Sequence, residues 1–234
     1  MRQWQWVLIA VMIVALLPTG TSAQLQDASL QTLAWDPYTN FQARLGSSTA
    51  GVYQGGSVIG AESVTGVFAS IGVEFNMYED YSVELALAYA QKGASGRTDP
   101  SLDTGFQPTQ TIEGTTSLDY IELTAQWVAL LNSSGSSQIR FYIGGGFAAL
   151  VSASFSGTVD GVEQNDVDVK NKFQTADMIG IFGAGYAFNI KKVQVLLDVK
   201  AEFGFFNLAK DDLVGPIRTR AYYLTAGVGI PWLD

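Results

Sequence analysis

The sequence predicts an all-β chain, an eight-stranded antiparallel up-and-down transmembrane β-barrel with short periplasmic turns and long extracellular loops. Three observations predict it: large apolar residues alternate with small or charged ones, connections alternate short and long, and the chain opens with an export signal. Of the 234 residues 47% are hydrophobic and 15% charged, which excludes disorder for most of the chain. After the first 20 positions no apolar run reaches the roughly 18 residues a spanning helix needs, so any crossing of a bilayer is by strands.

Residues 1–23 combine Arg2, an apolar core from Trp6 to Leu17 and the small-residue ending Thr21-Ser22-Ala23. This is the pattern of a cleaved secretory signal, with cleavage expected after Ala23. No Cys follows it, so a lipoprotein anchor is not expected. Residues 24–40, with Trp35-Asp36-Pro37, read as a periplasmic lead-in that serves as a tether or folds against the barrel mouth, and 41–234 as the barrel domain.

The first strand is expected near 41–50 and the second over 63–75, where Val67, Ala69, Ile71, Val73 and Phe75 oppose Gly66, Phe68, Ser70, Gly72 and Glu74. The third, 81–92, has the clearest two-faced pattern: Tyr81, Val83, Leu85, Leu87 and Tyr89 against Ser82, Glu84, Ala86, Ala88, Ala90 and Lys92. In the fourth, 118–131, Ile121, Leu123, Ala125 and Trp127 oppose Tyr120, Glu122, Thr124 and Gln126. The fifth, 138–152, sets Ile139, Phe141, Ile143, Phe147 and Val151 against Arg140, Tyr142, Gly144 and Gly146. The sixth, 176–188, is apolar on both parities, which leaves its facing open. The seventh, 193–203, sets Val193, Val195, Leu197, Val199, Ala201 and Phe203 against Gln194, Leu196, Asp198, Lys200 and Glu202; a Gly-rich eighth covers 219–232.

Links at 76–80, 132–137 and 189–192 are short, whereas those at 93–117, 153–175 and 207–218 are long. Strict alternation of this kind suits an outer-membrane barrel, with short turns on one side and long loops on the other. Alternation alone also fits a soluble barrel with the apolar face inward. The width of the Leu, Val, Ile, Phe and Trp band and the scarcity of Lys on these strands favour lipid. The aromatics Tyr78, Tyr81, Tyr186, Phe188 and Trp232, near strand ends, are then expected at the membrane interface.

The segments YSVELALAYAQKG at 81–93, LDYIEL at 118–123, FYIGGGFAALVSA at 141–153 and FGAGYAF at 182–188, in this order, resemble the PorT-like, porin-family outer-membrane β-barrel domain of Bacteroidota-type bacteria. The likeness covers roughly 41–232. The chain departs from that pattern at Thr124, where the family carries Pro, and in closing with Pro231-Trp232-Leu233-Asp234 instead of a terminal Phe. The resemblance implies a bacterial outer-membrane location, lipid and the barrel-insertion machinery as partners, with Trp232 as the recognised C-terminal aromatic, and, in some relatives, assistance to protein secretion.

With no His and no Cys, the chain lacks His-based triads, thiol nucleophiles, disulfides and the usual zinc ligands. A formal charge of −9 argues against nucleic acid. Inside the expected barrel, Glu74, Glu84, Glu122, Asp198 and Glu202 face Arg140 and Lys200 as counter-charges, with Arg44 as a further one. Paired, such charges fill a narrow barrel; unpaired, they are costly. The same carboxylates allow two other readings, a cation-preferring pore or proton-binding cluster, and a glycosidase pair for which no substrate cleft is implied. The acidic segment 157–172, with Asp160, Glu163, Asp166 and Asp168 beside Lys170 and Lys172, offers oxygens for Ca²⁺ but lacks the EF-hand spacing, so a solvated loop is expected. Gly144-Gly145-Gly146 and Gly183-Ala184-Gly185 lack the Lys or helix context of phosphate cradles. Asn132-Ser133-Ser134 matches a glycosylation acceptor without meaning in a periplasmic turn.

No cofactor, metal or catalytic residue is expected. The leading functional expectation is a non-enzymatic structural, adhesive or complex-forming barrel that meets a protein partner at its extracellular loops or periplasmic face. The alternative is a narrow cation-preferring pore lined by the inward carboxylates; a hydrolase or acyltransferase is a third reading, lacking His for nucleophile activation.

Overall fold

A strand whose two faces differ needs two surroundings, and a sheet closed on itself supplies them. The computed structural model describes residues 39–54, 57–58, 61–78, 80–98, 112–131, 137–208, 210 and 217–232. The strands are β1 (Thr39–Gln54), β2 (Ser57–Val58), β3 (Ala61–Tyr78), β4 (Tyr81–Thr98), β5 (Ile112–Leu131), β6 (Ser137–Val159), β7 (Val162–Asp168), β8 (Ala176–Ile190), β9 (Val193–Gly204) and β10 (Ile217–Trp232). Eight of them, β1, β3, β4, β5, β6, β8, β9 and β10, pair antiparallel in sequence order. The ring closes where β10 pairs with β1, from Thr39 opposite Trp232 to Gln54 opposite Ile217.

Stepping across partners from Asn40 to Glu74, Glu84, Gln126, Gly144, Ile181, Glu202, Ala221 and back to β1 arrives at Ala50, a stagger of ten residues. Staggered closure of this kind tilts the strands, by about 35–45° in barrels generally. The ends of β3, β5 and β8 lie at one end of the ring with the starts of β1, β4, β6 and β9 and the end of β10; the remaining strand ends lie at the other.

Facing follows the parity read from the sequence. Leu123 (61% exposed), Phe147 (68%) and Leu224 (64%) belong to an outward apolar band that includes Leu85, Leu87, Trp127, Ile143, Phe182 and Val199. A continuous exposed band of this size is unsuited to water and suited to lipid, so the soluble alternative is the wrong way round. In β8 the open facing resolves: Ile179 and Ile181 point inward, Met178, Phe182 and Tyr186 outward.

Four expectations require correction or relocation. The first strand starts at Thr39 and runs to Gln54, beyond the expected 41–50 at both ends. Both described ends of the link 93–117 are strand: β4 and β5 stay paired from Gly93 opposite Ser117 up to Thr98 opposite Ile112. The acidic segment 157–172 is solvated, but it and the link 153–175 hold a paired hairpin where a loop was expected. β6 continues to Val159, turns through Asp160 (φ 50°) and Gly161 (φ 79°), and pairs back as β7. Two positive φ values at the centre make this a primed hairpin turn, and Asp-Gly is the pair that adopts it. These extensions have the Ser, Thr and Gly content of loops because both of their faces can meet water. Of the link 207–218, residues 207–208 fold back onto the barrel and 217–218 already belong to β10, while 209 and 211–216 lie outside the described residues. The expected signal at 1–23, the lead-in through 38 and Asn132-Ser133-Ser134 lie outside the described residues.

Candidate functional site

Inward positions on eight strands converge on one axis, so each buried charge must find its partner on another strand. The structure places all seven acidic and basic residues expected there, Glu74, Glu84, Glu122, Arg140, Asp198, Lys200 and Glu202, on the inside at 0–7% exposure. Arg44, the further counter-charge expected, is buried with them, and Lys92 joins the set.

Arg44 is the hub of the larger group. Its guanidinium donates from Nη1 and Nη2 to the two Glu84 oxygens at 2.9 and 2.8 Å, and from Nε to Asp198 Oδ2 at 2.7 Å. The planar fork suits this double engagement, which Lys could not reproduce. Asp198 also accepts from the Tyr142 hydroxyl (2.6 Å), which accepts in turn from Arg140 Nε (2.8 Å). Arg140 Nη2 reaches Glu74 at 2.9 Å, and Glu74 accepts further from Ser82 and Gln42. Lys200 donates to Gln126 Oε1 (2.9 Å), lies 3.7 Å from Glu84, and stands 4.1 Å over the Tyr142 ring. Three bases thus meet three acids. Gly185 makes room for this arrangement, since a Cβ there would strike the Asp198 carboxylate.

A second group lies nearer the long-loop end. Lys92 Nζ is 2.6 Å from Glu122 Oε1 and bonds Glu202, while the Tyr223 hydroxyl donates to Glu202 Oε2 at 3.1 Å. Beyond it the interior turns apolar: Leu118, Tyr120, Ala148, Leu150, Ala153, Ile179, Ile181 and Leu208 form one buried cluster, with Val169, Phe173 and Ile217 against it. Leu208, 1% exposed, comes from the connection between β9 and β10. Its N–H donates to Ile217 O (2.8 Å), and its carbonyl accepts from Gln174 N–H (2.7 Å). Asp177 holds the approach to this cap, accepting from the N–H groups of Phe205 and Phe206 at 3.2 and 2.9 Å. The sequence signal for the cap was the apolar inward parity of β8; nothing local marked Leu208. Lys92 was legible as the last inward position of 81–92.

The aromatics separate into clusters. Tyr78 and Tyr81 pack at 4.8 Å between ring centroids beside the short turn, and Tyr81 meets Trp127 edge-on at 5.7 Å; Tyr186 and Phe188 are 6.2 Å apart. The Trp232 backbone ends β10 opposite Thr39. Trp127 was not among the aromatics expected there. Among the described residues no His, Cys, Asp and Glu group could hold a metal ion.

The solved structures similar to this chain include Neisserial surface protein A (TM-score 0.46, 13% identity, covering 82% of this chain and 97% of that one). Also similar are OprG from Pseudomonas aeruginosa (TM-score 0.43, 12% identity, 85% and 98% covered) and Ail, the attachment invasion locus protein of Yersinia pestis (TM-score 0.40, 14% identity, 83% and 99% covered). No curated protein matches the sequence. Residues 23–210 match the family described as the outer membrane protein beta-barrel domain. Lipid-facing bands, a charge-filled interior and that match over most of the chain lead to one statement: this protein is a bacterial outer-membrane β-barrel and belongs to the outer membrane protein beta-barrel domain family.

Proposed function

We propose that this protein is a non-enzymatic, non-conducting outer-membrane scaffold that acts by contact through its extracellular end as a structural, adhesive or complex-forming component. The observation that carries the reading is the filled interior. Arg44, Arg140 and Lys200 are paired with Glu74, Glu84 and Asp198, Lys92 lies between Glu122 and Glu202, and an apolar cluster capped by Leu208 closes the far end. Eight-stranded barrels have room for side chains and little else. The hairpin of β6 and β7 supports a contact role, because rigid pairing presents Glu163, Asp166 and Asp168 to solvent at fixed spacing.

The resemblance of the ordered motif set supports placing the chain with the PorT-like proteins of Bacteroidota-type bacteria. The same reading assigns 1–23 to a cleaved signal, 24–38 to a periplasmic lead-in, and Trp232 to recognition by the barrel-insertion machinery. The inward charges serve as a paired plug, and Tyr78, Tyr81, Tyr186 and Phe188 as the periplasmic girdle. The deciding experiment is single-channel recording of the refolded protein in a planar bilayer. Silence from a verified folded barrel is the expected result. Stable cation-selective steps that change with Glu84→Gln plus Glu122→Gln would establish the narrow pore in its place, and lipid or peptide turnover by the purified protein would end the non-enzymatic reading.

A further inference from the structure

The bases and acids inside the barrel are not evenly matched along its axis. Around Arg44 three bases meet three acids, so that group is neutral as it stands. Nearer the long-loop end a single base, Lys92, stands between two carboxyl groups, with Glu122 Oε1 2.6 Å from its Nζ and Glu202 bonded to it. All three side chains are 1% exposed. With both acids ionised, this group would carry a net negative charge sealed from water, and a buried charge without a partner is costly.

Among the described residues nothing else nearby supplies the missing positive charge. Tyr120 on β5 lies under the ammonium, 4.7 Å from Nζ to the ring centroid, and Tyr223 on β10 donates to Glu202. Asp177 on β8 is a further acid, held by the N–H groups of Phe205 and Phe206. Lys200, two residues from Glu202 on β9, is engaged with Gln126 and Glu84. Across the ladder Glu122 has Ala88 of β4 and Ala148 of β6 as neighbours, while β1 and β3 present Ala50 and Phe68 to this part of the interior. The two carboxyl groups themselves stand within hydrogen-bonding reach of each other. Two carboxylates in contact repel, and the contact becomes a bond when one of them carries a proton and donates it to the other. Glu202 is the better-supplied acceptor, taking Lys92 and the Tyr223 hydroxyl, whereas Glu122 Oε1 has no donor beyond its contact with Lys92.

We propose that Glu122 and Glu202 hold one proton between them at neutral pH, Glu122 as the acid that donates and Glu202 as the carboxylate that accepts, so that together with Lys92 the group is neutral. The inference goes beyond the scaffold reading and rests on its closed interior. The bridge ties β5 to β9 across the axis, next to the apolar cluster that Leu208 caps. The proton is therefore also a latch: withdrawing it in alkali leaves two like charges in contact beneath the cap.

The test is infrared spectroscopy of the folded barrel in an ester-free detergent, where the C=O stretch of a protonated carboxyl group stands clear and its shift in heavy water identifies it. Wild type is expected to show this band at neutral pH. E122Q and E202Q should each lose it, because one carboxylate beside Lys92 is already paired. K92M, which removes the base, should raise it about twofold, since both acids then neutralise. D177N and E84Q should leave it unchanged. In alkali the wild-type band should vanish, and amide exchange at Gln174, Leu208 and Ile217 should become faster than in E122Q under the same conditions. Heat-modified migration on gels verifies folding of every variant, and the wild-type spectrum decides without any of them. Absence of the band from wild type at neutral pH, its persistence in E122Q or E202Q, or its loss in D177N would overturn the proposal. A barrel that lacks the band and is silent in the planar bilayer would leave the scaffold reading standing, so the two failures are told apart.

Discussion

Replacing Arg44 by Met keeps most of the side-chain volume and removes the charge at the hub of the interior. Arg44 is 2% exposed and makes three charge-assisted bonds, two to Glu84 and one to Asp198. After the substitution Glu84 retains only Lys200 at 3.7 Å, and Asp198 retains the Tyr142 hydroxyl at 2.6 Å. Removing one partner of a buried pair costs about 3–5 kcal/mol, and because two carboxylates lose their partner together R44M should lie at the upper end, about 5 kcal/mol. Neutralising the better-bonded acid tests the cause: R44M/E84Q should recover about 2 kcal/mol relative to R44M, a coupling typical of residues sharing one network. The assay is reversible urea unfolding from phospholipid vesicles, followed by tryptophan fluorescence, at neutral pH. A cost below about 1 kcal/mol for R44M would refute the reasoning, since a penalty that small belongs to solvated ion pairs and would mean that water reaches the hub. That outcome would also favour conduction over a plugged scaffold.

The remaining expectations are simpler. Leu208→Ala should cost about 2–4 kcal/mol in the same assay, as buried Leu truncations do, and should loosen the cap, read as faster amide exchange at Gln174, Leu208 and Ile217. Gly185→Ala puts a methyl against Asp198 and should cost about 1–3 kcal/mol by overpacking, whereas Ala184→Gly on the outer face should cost no more than about 1 kcal/mol. Gly161→Ala meets nothing within 4 Å, so its cost is backbone strain alone, about 1 kcal/mol, seen as faster exchange across β7 with the barrel's own stability unchanged. Trp127→Ala should remove the edge-on contact with Tyr81 and with it about 0.5–1.5 kcal/mol, with a blue-shifted emission component lost from the folded spectrum.

Period-two alternation made the facing of most strands legible because lipid and a charge-filled interior are such different surroundings. Residues such as Leu85 and Glu84 declare their sides without help. Where both sides accept the same residue type, the sequence was silent. β8 carries Ile179 and Ile181 inward and Phe182 outward, and only the apolar cap inside the barrel explains the inward pair. Above the membrane the reverse holds: β6 beyond Ala153 and β7 are wet on both faces, so their composition reads as loop while their backbones pair as strand.

By itself, the sequence determined the class of protein, the number of strands in the ring, the inward charges and the exclusion of His and Cys chemistry, because each of these depends on residue type or spacing along one strand. Which charges meet was decided by closure. Arg44 and Asp198 are 154 positions apart, and Lys92 and Glu202 110, joined only because a ten-residue stagger brings their strands to the same height across the axis. The placing of Leu208 over the interior likewise arose from a connection folding back on the ring, which no local pattern encodes.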